Sequence, residues 1–287
     1  MPNQTRIKDT LMKLLIYLCS GISVLLLLGI ICYVFIKGAG HVSWNFLTTV
    51  SSALSGSKGI AGNIVNTLMI IFITMVFAGP IGVGAAIYLN EYAKPGRLVT
   101  LIEYAAETLS GIPSIIFGLF GMVFFGEKLG LGYSILTGSL TLILMVLPLI
   151  TRNTQEALKT VPDSYRTGAI GLGAGKWHMI RTILIPSAMP GIITGTILAI
   201  GRIVGESAAL LFTAGSAKLL PAGLQALLNN PFQSGGTLTI QMYLSATSEG
   251  DFDTAFAIAA VLLVIVLIIN LSTKAMTGRF DKTRKDR

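Results

Sequence analysis

The chain has 287 residues, of which 53% are hydrophobic and only 12% charged, with a mean hydropathy of +0.76. An ordinary soluble domain carries roughly a quarter charged residues, and a soluble fold of this size has too little polar side chain to cover its surface; the same figures exclude disorder, and two cysteines exclude a disulfide scaffold. What remains is an all-α integral membrane protein, whose net charge of +8 is either a nucleic-acid footprint or a topology signal.

A spanning helix needs about 20 mostly apolar residues. Six stretches qualify, at 14–36, 64–90, 108–126, 129–150, 182–201 and 254–273, the fifth continuing past Arg202 and Glu206. The first is followed by no small-residue cleavage site and is expected to stay as an anchor. Its Cys19 and Cys32 lie too far apart for a metal or redox pair and read as packing residues. The predicted parts are an amino-terminal anchor region with an outer loop (1–63), a core of five spans (64–273) and a basic carboxy-terminal tail (274–287).

The basic residues decide the charge question. Sixteen of the 21 fall in the amino terminus, the links 2–3 and 4–5, and the carboxy terminus; Lys37, Lys58, Lys128 and Lys218 fall in the other links, and Arg202 lies inside a span. The positive-inside rule then predicts cytoplasmic termini, with the acidic Glu249, Asp251 and Asp253 outside. Most of the charge is topology, and no nucleic-acid partner is expected.

Signs of an enzyme are missing. His41 and His178 are the only histidines, so no His-rich metal site forms. The run Ile170-Gly-Leu-Gly-Ala-Gly-Lys-Trp177 superficially resembles a phosphate loop, but position 170 should be Gly and position 177 Ser or Thr.

The link 151–186 is the longest on the basic side. Tyr165, Ile170, Leu172, Trp177 and Ile180 give it an apolar face, and Gly168, Gly171, Gly173 and Gly175 break it into short helices. Composition leaves two readings open: a knob for another protein, or an interfacial helix on the bilayer. Its tail resembles the EAA loop of bacterial ABC importer permeases, which has Glu-Ala-Ala, three residues, Gly, nine residues, then Ile-x-Leu-Pro. Here Ala169, Gly173, Ile183 and Pro186 match; Thr167 stands for the Glu, Gly168 for the first Ala and Ile185 for the Leu.

Further segments resemble PstA-type permeases of the phosphate importer, within the MetI-like permease family. They are Ser110-Gly-Ile-Pro-Ser114 leading into Phe117-Gly-Leu-Phe-Gly121, then Leu147-Pro148, Glu156-Ala-Leu-Lys-Thr-Val-Pro162 with Tyr165-Arg166, and Gly201-Arg-Ile-Val-Gly-Glu-Ser-Ala208. The resemblance implies a six-helix MetI-like permease in the bacterial cell membrane. It implies a heterodimer with a second permease subunit, two ATPase subunits using ATP and Mg, and an extracytoplasmic phosphate-binding protein. It places ATPase coupling on Thr167, Gly168, Ala169, Gly173, Trp177, Ile183 and Pro186, and no cofactor in this chain. The alternatives are a permease for another anion or solute, a stand-alone channel, or a membrane enzyme.

Two places in the spans are candidates for the substrate pathway. Arg202 and Glu206 stand four apart, on one predicted helix face with Gly191, Gly195, Ala199, Ala209 and Thr213. Opposite them run Ile193, Ile197, Ile200, Val204 and Leu211. A charge inside the bilayer costs about 2.5–3.5 kcal/mol on insertion scales, so it needs a partner or a wet path. The pair is either a structural lock or an anion-attracting Arg held by Glu206. The second place is Ser110, Gly111, Pro113 and Ser114, where Pro113 produces either a simple kink, the preferred reading, or a break that frees amide N–H groups. Pro80 and Pro148 read as kinks, and 219–228 is left open as a short re-entrant or surface helix.

Overall fold

The computed structural model describes residues 2–52, 57–94, 96–221, 226 and 229–285. The chain is mostly helical, as its hydropathy requires, with one short antiparallel hairpin, β1 (Val50–Ser52) and β2 (Ser57–Ile60). The helices in chain order are α1 (Pro2–Gly38), α2 (Trp44–Thr48), α3 (Ala61–Ile87), α4 (Arg97–Gly111), α5 (Ser114–Gly121), α6 (Ile135–Lys159), α7 (Asp163–Gly171), α8 (Lys176–Met179), α9 (Ile185–Gly205), α10 (Ala208–Thr213), α11 (Leu238–Thr247) and α12 (Phe252–Lys285). Three π-helical stretches extend α3 (Tyr88–Tyr92), extend α5 (Met122–Lys128) and join α8 to α9 (Ile180–Leu184).

Among the described residues, five helices are long and apolar enough to cross a membrane, and a sixth span results if a bent pair is counted once. That pair is where the expected third span differs. The apolar window 108–126 straddles a break: α4 ends at Gly111, Ile112 and Pro113 are extended, and α5 leaves at 100° to α4. The preferred reading of Pro113 as a simple kink is therefore corrected to a full break. Pro113 has no N–H to continue the ladder, and it holds the residue before it out of the helical region. Pro80 and Pro148, by contrast, stay inside α3 and α6. The fourth span begins at Ile135 rather than 129, because Gly130 and Gly132 take positive φ in the turn before it.

Side-chain caps start several helices. Ser134 Oγ accepts from Thr137 N at 3.1 Å to begin α6, and Thr237 Oγ1 accepts from Ile240 N at 3.3 Å to begin α11. Asp251 accepts from Thr254 N at 3.1 Å ahead of α12. Each cap satisfies one of the donors that a helix start leaves unpaired.

The core has three parts. Ile70, Leu142, Val146, Ile150, Ile203 and Leu210 hold α3, α6, α9 and α10 together. Leu158, Val161, Ala169, Met179, Ile180 and Leu184 fill the base of the 151–186 segment. Ile60, Val204, Leu238, Ile258 and Leu262 join α9, α11 and α12. Glycines let backbones approach, as expected in membrane helix packing: a Cβ on Gly82 would meet Ile150, one on Gly191 would meet Ala157, and one on Gly195 would meet Asn153. Much of α1 keeps apolar side chains exposed; Gly38 abuts the Phe256 backbone and Tyr33 stacks edge-on against Phe256 at 5.5 Å. Of the stretch 219–228, residues 222–225, 227 and 228 lie outside the described residues.

Candidate functional site

The small-residue stripe on α9 does what its composition suggests. Gly191 and Gly195 press on α6, and Ala199 is fully buried. The opposite stripe is not uniformly lipid-facing, because Val204 is buried against α12. The stripe also stops sooner than the four-residue spacing of Arg202 and Glu206 implies. The helix ends at Gly205, and Glu206 is already extended (φ −80°, ψ 123°).

That ending corrects the expected Arg202–Glu206 pair. Among the described residues, no carboxylate lies within ion-pair distance of Arg202. Glu206 is spent locally: its Oε1 accepts from Ala209 N at 3.0 Å, capping the first turn of α10, and its carbonyl accepts from Thr239 Oγ1 at 2.9 Å. A carboxylate at a helix start satisfies a free amide and meets the positive end of the dipole. Arg202 is left as a half-buried guanidinium without a protein anion, on the last turn of α9.

The two candidate pathway segments meet through their helices. Gly118 of α5 lies so close to Ala209 of α10 that a Cβ would stand 2.8 Å from the Ala209 Cα, and Gly121 faces Thr141 and Thr213. The helix that follows the Pro113 break thus crosses the helix that Glu206 caps. Ser114 is the first, half-buried residue of α5; Ser110 Oγ donates back to Ala106 O at 3.0 Å, and Gly111 and Pro113 are exposed. A groove of about 500 Å³ opens between α4 and α6, lined among others by Ser110, Pro148, Thr151, Arg152, Glu103 and Glu107. The Thr151 hydroxyl there is buried without a hydrogen-bond partner. Arg152 bridges Glu107 at 3.4 Å and Glu156 at 3.3 Å.

The 151–186 segment forms a helix–turn–helix. Gly168 and Gly171 remain within α7, and the break comes only after Leu172. Gly173 takes φ +82°, its N–H reaches Ile170 O at 2.9 Å, and Ala174 N reaches Ala169 O at 3.0 Å. This is the Schellman ending, whose left-handed position favours glycine. Ala169 is buried at the base, while Thr167 is exposed and bonds back to Asp163 O at 3.2 Å. The tip carries Leu172, 91% exposed, with Ile170 and Trp177 beside it. Ile183 packs partly into the base, and Pro186 opens α9 with its missing N–H just after the π-helical stretch. A residue pair far apart in sequence anchors this knob. Arg166 Nη2 meets Glu91 Oε1 at 2.9 Å, with the two side chains only 18% and 6% exposed. No local spacing links positions 91 and 166; the lone acid in Tyr88-Leu-Asn-Glu-Tyr92 was the available signal.

Residues 78–286 match the family model described as "Binding-protein-dependent transport system inner membrane component". The chain belongs to this family. It is an inner-membrane ABC permease with the MetI-like fold, and its homologues are transport components. The chain is 38% identical over 281 residues to the "Probable ABC transporter permease protein YqgI" of Bacillus subtilis (strain 168), spanning 94% of this chain and 95% of that protein. It is 32% identical over 245 residues to the "Phosphate transport system permease protein PstA" of Xylella fastidiosa (strain Temecula1 / ATCC 700964), spanning 85% and 83%. In fold the permease is similar to a chain of the bacterial alginate ABC transporter in complex with an alginate pentasaccharide-bound periplasmic protein, with a TM-score of 0.68 at 17% identity over 95% and 96% of the two chains. A chain of the inward-facing MetNI methionine transporter gives 0.58 at 19% identity, covering 77% of this chain and 94% of its own.

Proposed function

We propose that this permease forms half of the membrane pathway of an ATP-driven importer for inorganic phosphate. It works beside a second permease subunit, with two ATPase subunits that use ATP and Mg docked on α7 and α8, and an extracytoplasmic phosphate-binding protein at the other end. Both termini and the knob then face the cytoplasm. Arg202 is the observation that carries the anion reading. Its guanidinium offers a fork of donors suited to phosphate oxygens and, among the described residues, has no carboxylate within ion-pair distance to occupy it. Similarity to phosphate permeases such as that of Xylella fastidiosa supports phosphate among anions. The higher identity to YqgI, whose name gives no substrate, keeps a permease for another anion or solute as the second reading.

In this mechanism the knob inserts its apolar tip (Ile170, Leu172, Trp177) into a groove of the ATPase, a helix-in-groove contact. ATP binding closes the ATPase pair and turns the membrane halves outward; hydrolysis resets them. Arg202 attracts the anion as it passes, and the absence of a second fixed cation on α9 limits how long the anion stays. The test is ATP-driven uptake of labelled phosphate by the reconstituted complex, with sulfate and molybdate as competitors. Phosphate uptake that unlabelled phosphate inhibits and the other two do not is expected; equal inhibition by all three overturns the substrate assignment. Arg202→Gln is expected to cut uptake at least tenfold with assembly unchanged, and unimpaired uptake returns Arg202 to a packing role.

A further inference from the structure

The π-helical turn Tyr88–Tyr92 receives both limbs of the knob. Glu91 takes Arg166 of α7 through a forked contact, from Nη2 at 2.9 Å and from Nε at 3.2 Å. Asn90 Nδ2 donates to the same Oε1 at 2.7 Å. Lys176 of α8 places its ammonium 4.8 Å from the centre of the Tyr92 ring. Arg166 also closes the end of α6, donating to Leu158 O at 3.0 Å and Val161 O at 2.9 Å, and it meets Asp163 at 3.0 Å.

An apolar contact at this place would hold the knob and still let it slide. A part-buried guanidinium whose donors are nearly all committed fixes one geometry, because a fork has little rotational freedom once it is bidentate. The helix behind Glu91 runs unbroken through α3 to the far end of the bundle. There Asn63 Nδ2 donates to Gly236 O at 2.9 Å, Asn66 Nδ2 donates to the same oxygen at 3.3 Å, and Leu238 N donates to Thr67 Oγ1 at 3.0 Å. One helix is therefore fastened to the knob at one end and to the 230–238 segment at the other.

We propose that Glu91 is a positioning residue for energy coupling. Through Arg166 it bolts the knob to α3, so that movement imposed on the knob is carried along α3 to the 230–238 segment. This rests on the knob being the ATPase dock, and the experiment separates the two. The complete complex is reconstituted in vesicles, and bound ATPase, basal ATP hydrolysis and hydrolysis stimulated by the loaded binding protein are measured. Leu172→Asp reports on the dock and is expected to lose bound ATPase; retention of ATPase by that variant overturns the dock and leaves the Glu91 measurements readable.

Glu91→Gln is expected to keep bound ATPase and basal hydrolysis within twofold while losing stimulation at least tenfold. Glu91→Asp, which keeps the carboxylate, is expected to hold stimulation within about threefold. Stimulation unchanged in Glu91→Gln, or lost only in proportion to assembled complex, overturns the proposal. Should Glu91→Gln fail to assemble, the pair Glu91→Cys and Arg166→Cys decides, in a background with Cys19→Ser and Cys32→Ser. A short thiol-to-thiol linker should restore stimulation by replacing the ionic bolt with a covalent one, and no restoration overturns the proposal.

Discussion

The two ends of the bundle are built from opposite materials. At the knob, the chain exposes apolar side chains at a tip held by a left-handed glycine, and a charged pair fixes the base. At the far end the polar groups are inside. Asn63, Asn66 and Asn230 are buried, Asn230 Nδ2 donates to Asn66 Oδ1 at 3.1 Å, and the 230–236 backbone is threaded between α3 and α6. The charges there lie at the rim, where Lys58 meets Asp251 and Lys218 meets Glu249 at 3.1 Å. Exposed apolar surface on a rigid support is what a docking element needs. Asn63 and Asn66 donate their side-chain amides to the Gly236 carbonyl and so tie the irregular segment to one arrangement, while Asn63 Oδ1 stays buried without a hydrogen-bond partner among the described residues and carries a desolvation cost. One end is made to be gripped and the other to keep a shape.

The sharpest break of this contrast is Leu172→Asp. A carboxylate at the most exposed apolar position of the knob should cost at least tenfold in ATPase retained on affinity purification, with no change in the thermal stability of the permease itself. A loss of stability instead would mean that the tip belongs to the fold.

Gly235→Val probes the opposite end. A Cβ there would stand 2.7 Å from the Ile135 side chain and 3.0 Å from Asn66 Cγ. Overpacking of this kind costs about 1–3 kcal/mol, so a clear fall in the unfolding midpoint is expected in detergent, with ATPase binding retained. An unchanged midpoint would show that the 230–236 segment gives way easily.

The smallest effect belongs to the rim. The Lys58 ammonium and the Thr254 hydroxyl and amide hold the Asp251 carboxyl down to about 2. A depressed carboxyl contributes stability above its ordinary pKa near 4 and loses that contribution as pH falls towards 2. Lys58 is largely exposed, so screening keeps the ion-pair part below about 1 kcal/mol. Asp251→Asn should therefore flatten the fall in unfolding midpoint between pH 4 and pH 2. A fall as steep as that of the unaltered chain would remove Asp251 from the acid response.

Much of this was readable from residue order, and the gaps have physical causes. Uninterrupted apolar runs marked α1, α3, α6, α9 and α12, because lipid imposes length and composition together. The α4–α5 break is hidden in the sequence because α4 carries Arg97, Glu103 and Glu107 and so falls partly outside any apolar window. The Arg202–Glu206 spacing was right for a continuous helix and failed because the helix stops at Gly205, a termination set by contacts with α10 and α11. The short helices of the 151–186 segment were legible in part from glycine spacing, a local property, but the break falls at 172–175 and not at Gly168 or Gly171, and composition alone left a knob and an interfacial helix both open. The anchor of the knob was not legible, since Glu91 and Arg166 are brought together only when α3 and α6 pack side by side.

The π-helical stretch at Ile180–Leu184 has a consequence for chain length. A π turn holds about one residue more than an α turn. Loss of one residue between 180 and 184 could be absorbed by tightening that turn, leaving the knob and the membrane part of α9 facing as they do now. The same loss between Gly191 and Ala199 would rotate everything beyond it by about 100°, swinging Arg202 away from its present direction and the glycine seam off α6. Insertions and deletions should therefore be tolerated at the neck of the knob and forbidden about two turns deeper.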